Sequence, residues 1–274
     1  MTPIQAIVLG AVQGLTEFLP VSSSAHLIVV PWLLGWPDQG LTFDVVLHAG
    51  TLIAILSFFW RDWLNMLSVI LAPRKVPEHE RTRGKNVLIL IVLATLPAAV
   101  IGFLAEKTVE STLRSPFVLS VTLIGVAILL WLAEKIARLQ KEMHQLSIRD
   151  AMSIGLAQAL ALVPGTSRSG ITIAVGLFRG LTRETAARFS FLLSGPIIAG
   201  AGLKKLIDLC RTGVAENEML PMTLGFLSSL LFGYFTIKFL MSYLQRNTLR
   251  IFILYRIALG ILILALIGGA GFRP

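Results

Sequence analysis

Residues 4–34 read IQAIVLGAVQGLTEFLPVSSSAHLIVVPWLL, and residues 151–177 read AMSIGLAQALALVPGTSRSGITIAVGL. The way these two apolar stretches are interrupted decides the fold. The first breaks at Glu17, Pro20, the run Ser22-Ser23-Ser24 and His26; the second breaks at Pro164-Gly165 and Thr166-Ser167-Arg168-Ser169. Each uninterrupted half is about 10–14 residues, too short to cross ~30 Å of hydrocarbon and in the length class of a re-entrant segment. Irregular backbone at membrane depth is tolerated only where protein buries it or a wet cavity hydrates it. Eight ordinary spans with polar kinks fit these short halves poorly.

The two stretches also resemble each other. Gly10-Ala-Val-Gln13 lines up with Gly155-Leu-Ala-Gln158 and, after a one-residue gap, Pro20–His26 lies over Pro164–Gly170. Glycines 50 and 195 mark the spans that follow. Two short, Gly/Pro-interrupted segments at corresponding places in two halves point to an internal repeat with a central site.

The rest of the chain supplies the frame. Six further apolar runs are long enough to span: Val45–Trp60, Val87–Leu104, Pro116–Leu132, Phe189–Leu206, Leu220–Met241 and Ile251–Gly268. Of 274 residues 55% are hydrophobic and only 14% charged, with a mean hydropathy of +0.80. Soluble domains carry about 25% charged residues, so a soluble enzyme is excluded. The formal charge of +9 reflects basic cytoplasmic loops and anionic lipid, and no nucleic-acid partner is expected. The single cysteine, Cys210, excludes an intrachain disulfide framework. No basic n-region precedes the first apolar stretch, so no cleaved signal peptide is expected.

Basic residues set the orientation. The loop after the first span carries Arg61, Arg74, Lys75, Arg81, Arg83 and Lys85; the one before the second hairpin carries Lys135, Arg138, Lys141 and Arg149. Positive-inside places both in the cytoplasm and segment 105–115 outside, although Lys204, Lys205 and Arg211 then fall on the outer side. The hairpins must enter from opposite faces. The expected fold is an all-α integral membrane protein, one polytopic domain over 1–274, with six transmembrane helices and two re-entrant helical hairpins. The inverted repeats would cover about 1–134 and 149–271.

Polar residues at depth mark the candidate site. An intramembrane carboxylate costs a few kcal/mol on insertion scales and needs a partner or a task. Glu17, with Gln13 one turn earlier, reads as a metal ligand or general base, or alternatively as a protonated side chain bonded to a neighbouring helix. Ser22, Ser23 and Ser24 open a half-helix, where hydroxyls and unpaired N–H groups cap the helix or bind an anion. His26 offers an acid, base or nucleophile. Arg168, between Ser167 and Ser169 at the other half-helix start, suits bidentate contact with phosphate, or else a buried ion pair with Glu17. If the tips meet, the constellation suits a pyrophosphate. His48, in the first span, reads as cavity-lining or as a packing residue. No GxxxxGK[ST], GxSxG or HExxH occurs, so P-loop, α/β-hydrolase and zincin chemistry have no support.

The tips Gln13-Gly-Leu-Thr-Glu17-Phe-Leu-Pro20-Val-Ser-Ser23-Ser-Ala-His26 and Pro164-Gly-Thr-Ser-Arg168-Ser-Gly170 resemble the two motifs of the bacterial undecaprenyl-diphosphatases of the bacitracin-resistance type. Gln13 stands where Glu is common, and Ser24-Ala25 where Thr-Gly is common. The resemblance implies hydrolysis of undecaprenyl diphosphate to undecaprenyl phosphate in the bacterial plasma membrane, recycling the lipid carrier for wall synthesis. It implies use of Mg²⁺ or Ca²⁺, and it leaves room for a homodimer. By motif position Glu17, Ser23, His26 and Arg168 are the expected catalytic residues. Ser22, Ser24, Ser167, Ser169 and Gly170 would bind substrate, and Glu17 and Gln13 would hold metal. Ser23 as nucleophile with His26 as base is the expected division of labour, with His26 or a water as alternative nucleophile. The site is expected to open to the outer side. A transporter or lipid flippase shares the inverted-repeat architecture. Phosphatidic-acid-type phosphatases require further motifs, of which only Ser167-Arg168 is present.

Overall fold

The computed structural model describes the backbone of residues 1–71, 77–112, 115–212 and 216–270, and their side chains except at 79–83, 105–112, 203–212, 216–217 and 269–270. Eleven α-helices occur among these residues: α1 (Pro3–Phe18), α2 (Ser23–Leu33), α3 (Gly40–Phe58), α4 (Trp60–Leu71), α5 (Glu78–Thr112), α6 (Pro116–Ile136), α7 (Ile148–Leu160), α8 (Arg168–Phe178), α9 (Arg183–Thr212), α10 (Glu216–Leu244) and α11 (Arg250–Ala270). The described residues contain no strand beyond one isolated bridge between Lys141 and Leu181.

Helix starts follow the local chemistry. Thr2 caps α1 in a box with Gln5, and Pro3 occupies the first turn, where its missing N–H costs nothing. Ser115 and Pro116 open α6 the same way. Ser147 and Asp150 form a capping box on α7. Proline inside α2, α5, α9 and α10 is tolerated because neighbouring helices re-satisfy the freed backbone groups.

Among the described residues, five helices are long and apolar enough to cross a membrane: Gly40–Phe58, Gly84–Leu104, Pro116–Ile136, Glu218–Leu244 and Arg250–Gly268. The chain is a multi-pass membrane protein. The sixth expected span lies inside α9, and residues 203–206 of it fall outside the described side chains, as do Lys204, Lys205 and Arg211. Arg74 and Lys75 of the first basic loop lie outside the described residues altogether. At 12 residues α4 is too short to span. Its outward Leu64, Leu67 and Ile70 beside an Arg188–Asp62 ion pair match a helix lying in the interface.

The two broken hairpins are α1–α2 and α7–α8. α1 packs most extensively on α10, and α7 on α5. A Cβ at Gly10 would lie 2.4 Å from the Gly225 carbonyl oxygen, and one at Gly155 would lie 2.3 Å from that of Ala94. Only glycine permits either helix crossing. Contacts of α3 with α9 and of α6 with α11 join the halves.

The local geometry removes the gap assumed in aligning the hairpins. Ser22 and Ser167 are both N-caps with positive φ, 79° and 68°, and each is followed by the first helical residue, Ser23 or Arg168. Ser22 Oγ lies 3.2 Å from Ser24 Oγ, as Ser167 Oγ does from Ser169 Oγ. Ser23 therefore corresponds to Arg168 at the same offset that relates Gln13 to Gln158. The prolines are not equivalent, because Pro164 sits in a turn that ends α7 earlier than α1.

Candidate active site

The hairpin tips meet. Ser24 Oγ accepts a hydrogen bond from Gly165 N at 3.2 Å, and Ser169 Oγ donates to the Leu19 carbonyl at 3.1 Å. Glu17 and Arg168 join the tips electrostatically, with Arg168 Nη2 2.5 Å from Glu17 Oε1. The second carboxylate oxygen accepts from Ser23 Oγ at 2.6 Å and from Gln13 Nε2 at 3.0 Å. Arg168 Nη1 also donates to the Ser194 carbonyl at 3.2 Å. Glu17, Gln13, Ser22 and Ser167 are all buried, so the charge pair works where solvent screening is weak.

A cavity of about 880 Å³ opens over this centre, and Glu17, Ser22, Ser23, Ser24, Ser167 and Arg168 lie in its wall. Apolar side chains of α2, α3, α5 and α9, among them Ile28, Val45, Ala98 and Ile198, form the remaining sides, with Trp36, Asp38 and Gln39 also in the lining. A charged floor under apolar walls is what an amphiphilic anion requires. Ser167 caps Gly170 N at 3.1 Å, whereas Ser22 makes no side-chain cap bond. The N–H groups opening α2 are thus left to face an anion.

His26 faces elsewhere. Its Nδ1 lies 2.7 Å from the Ser22 carbonyl and its Nε2 2.6 Å from Tyr255 Oη. A carbonyl can only accept, so Nδ1 carries the proton, and neutral Nε2 accepts from the tyrosine. The ring braces the Ser22 turn, while the Ser23 hydroxyl meets Glu17.

Sequence reasoning set His48 aside and passed over Arg256. His48 Nδ1 donates to the Asp44 carbonyl at 2.8 Å, and Nε2 points to Glu17 Oε2 at 3.7 Å from the cavity wall. Arg256, fully buried in α11, donates to five carbonyls: Leu123, Pro20, Thr122, Gly165 and Thr166, at 3.0–3.2 Å. It ties both tips to α6. A lone arginine within an apolar span was the signal that could have found it.

The donor set suits a hard divalent cation held largely by water and phosphate. Glu17 Oε2 and the Ser23 hydroxyl are adjacent oxygens, and Gln13 Oε1 is buried with no hydrogen-bond partner among the described residues. Those residues contain no group of three His, Cys, Asp or Glu side chains that would suit a zinc-type site.

Fold and site define a class: a multi-pass helical membrane protein whose carboxylate, hydroxyl and guanidinium converge where two broken helices meet. The family model described as bacitracin resistance protein BacA matches residues 6–262, and the chain belongs to this family. An undecaprenyl-diphosphatase of Moorella thermoacetica is 46% identical over 97% of this chain and 98% of its own. One of Geobacter metallireducens is 48% identical over 95% and 96%, and one of Desulforudis audaxviator 46% over 98% and 100%.

Proposed function

We propose that this chain hydrolyses undecaprenyl diphosphate to undecaprenyl phosphate and inorganic phosphate in the bacterial plasma membrane, returning the lipid carrier to wall synthesis. The observation that carries the reading is the bond from Ser23 Oγ to Glu17 Oε2, beside Arg168, on the floor of an apolar-walled cavity. Membership of the family and the printed activity of its relatives supply the substrate.

Phosphoryl transfer needs positioning and charge neutralisation more than covalent help. Ser23 Oγ attacks the terminal phosphorus as its proton passes to Glu17 Oε2. The bond from that phosphorus to the bridging oxygen breaks, and undecaprenyl phosphate leaves with the electron pair. Glu17 releases that proton to solvent, and water then cleaves the phosphoserine: Glu17 takes the water's proton and passes it to the departing Ser23 Oγ as inorganic phosphate is released. Arg168 and the N–H groups opening α2 hold the phosphoryl oxygens. Glu17, Gln13 and Ser23 would hold Mg²⁺ or Ca²⁺, which when bound would supply further neutralisation of charge on the transferring group. In this reading His26 positions the Ser22 turn through its bond to the Ser22 carbonyl, and Glu17 takes the part of base that was expected of His26.

The hairpins belong to inverted repeats over about 1–134 and 149–271. The end bearing Asp62, Glu134 and Lys141 faces the cytoplasm by positive-inside, so the cavity mouth near Trp36 and Asp38 faces outward. A cysteine at Asp38, in a Cys210→Ser background, should react with impermeant maleimide on intact cells; labelling only after permeabilisation overturns that placement.

The test of function is phosphate release from undecaprenyl diphosphate by the purified protein in detergent, with and without EDTA. Release that EDTA abolishes and Mg²⁺ or Ca²⁺ restores is expected. A lipid flippase of similar architecture would release none.

A further inference from the structure

Gln158 on α7 is 2% exposed, lies in the cavity wall, and neither its Nε2 nor its Oε1 finds a hydrogen-bond partner among the described residues. Its repeat-equivalent, Gln13, donates to Glu17. At the same offset from Glu17 the second hairpin has Leu162, so this amide has kept its position and lost its carboxylate. Ala98, Ala161, Leu162 and Ile198, which line the same cavity, are apolar and offer nothing in exchange. A buried amide without partners costs about 1–3 kcal/mol, and apolar replacement would remove that cost. An orphaned donor in the wall that also holds Arg168 and Ser167 is instead explained by a partner that arrives with the ligand.

We propose that Gln158 is a substrate-binding residue, its Nε2 donating to a non-bridging phosphate oxygen of the bound diphosphate while Oε1 accepts from a water carried in with it. The inference rests on the phosphatase reading above and extends its anion site to the second hairpin. The two halves then divide the work. The first keeps amide plus carboxylate for chemistry, and the second keeps an amide and an arginine for binding.

Gln158→Met matches the side chain in length and cannot donate, and Gln158→Glu matches it in shape and replaces the donor by an acceptor. Each is compared with wild type for melting temperature, and for affinity towards farnesyl methylenediphosphonate, an uncleavable diphosphate analogue, by calorimetry in one detergent. We expect Gln158→Met to melt no lower than wild type yet to bind about tenfold more weakly or worse, a hydrogen bond to a charged acceptor being lost. Gln158→Glu should bind more weakly still, because it sets an anion against an anion. Affinities within twofold of wild type in both variants overturn the proposal, as does a weakening in Gln158→Met that only accompanies a lowered melting temperature. Wild type separates the two levels: if it does not bind the analogue, the phosphatase reading fails; if wild type binds and both variants bind equally well, only the role of Gln158 fails.

Discussion

Ser23 and Arg168, the first helical residues of the two half-helices, hold the two oxygens of one carboxylate. Ser23 Oγ donates to Glu17 Oε2 at 2.6 Å, and Arg168 Nη2 lies 2.5 Å from Oε1. The two occupy equivalent positions in the hairpins, so a repeated backbone presents a hydroxyl from one half and a guanidinium from the other to a single carboxylate. The serine before each has a positive φ, an uncommon conformation for a residue with a Cβ. Strain of this kind persists where surrounding structure over-determines it. Here the opposing tip supplies that constraint through the bonds of Ser24 and Ser169.

The proposed mechanism asks Arg168 to be more than a counterion. A fork can keep Glu17 and reach phosphate with its other N–H groups, which a lysine point charge cannot do. Arg168→Lys should leave the protein folded and lower kcat by about 10²-fold or more, about 2.7 kcal/mol of transition-state stabilisation. Near-normal turnover in Arg168→Lys, with a collapsed melting temperature in Arg168→Ala, would reduce it to a structural ion pair.

Ser23 and His26 separate by the kind of damage their loss does. Ser23→Ala should lose about 10³-fold or more in kcat with little change in melting temperature. For His26 the expected signature is rescue. Asparagine can still donate to the Ser22 carbonyl, so His26→Asn should retain about tenfold more activity than His26→Ala and keep the wild-type shape of the pH–rate profile. If both variants are equally inactive, or Asn loses a limb near neutral pH, proton transfer by His26 is restored to the mechanism.

Much of the site was legible because the membrane makes polar groups conspicuous. Glu17, Ser23 and Arg168 stood out against apolar surroundings, and the short halves on either side predicted the hairpins. What periodicity could not supply was rotation about the helix axis. His26 lies four residues after Ser22 and turns its Nδ1–H to that residue's carbonyl, while Ser23 turns to Glu17. The partners of Arg256 were hidden for a different reason: they are backbone carbonyls from three separate elements, which no side-chain pattern announces. Prolines 20 and 164 misled the alignment, because a proline fits several positions of a turn while the N-cap serine fits one.

Arg256 carries its own prediction. Lysine cannot satisfy five carbonyls, and each one left buried without a donor costs about 1–3 kcal/mol. Arg256→Met should lower the melting temperature by about 5 °C or more, with Arg256→Lys between it and wild type. Turnover should fall in the same order. Unchanged melting curves in both would show that the tips hold together without it.

Acid stability should report on Asp150. Burial raises its carboxyl, but hydrogen bonds from Ser147, with Arg179 and Lys141, outweigh that and hold it at about 2, below the usual carboxylate range. A depressed carboxylate contributes stability above its unfolded pKa and loses it as pH falls through the folded one. Wild type should therefore lose melting temperature between about pH 4 and 2 more steeply than Asp150→Asn, which should be the less stable at neutral pH. Parallel curves would show that the contacts with Ser147, Arg179 and Lys141 do not hold the Asp150 carboxyl down.

The most direct measurement is the initial rate of phosphate release from undecaprenyl diphosphate by Glu17→Gln in metal-replete detergent, beside wild type. Glutamine keeps the shape of the side chain and removes both the proposed base for Ser23 and the charge that pairs with Arg168. The account predicts a loss of about 10³-fold or more in kcat, with no response to Mg²⁺, Ca²⁺ or EDTA in the residual rate. A Glu17→Gln protein that turns over within tenfold of wild type and still requires the cation would contradict it.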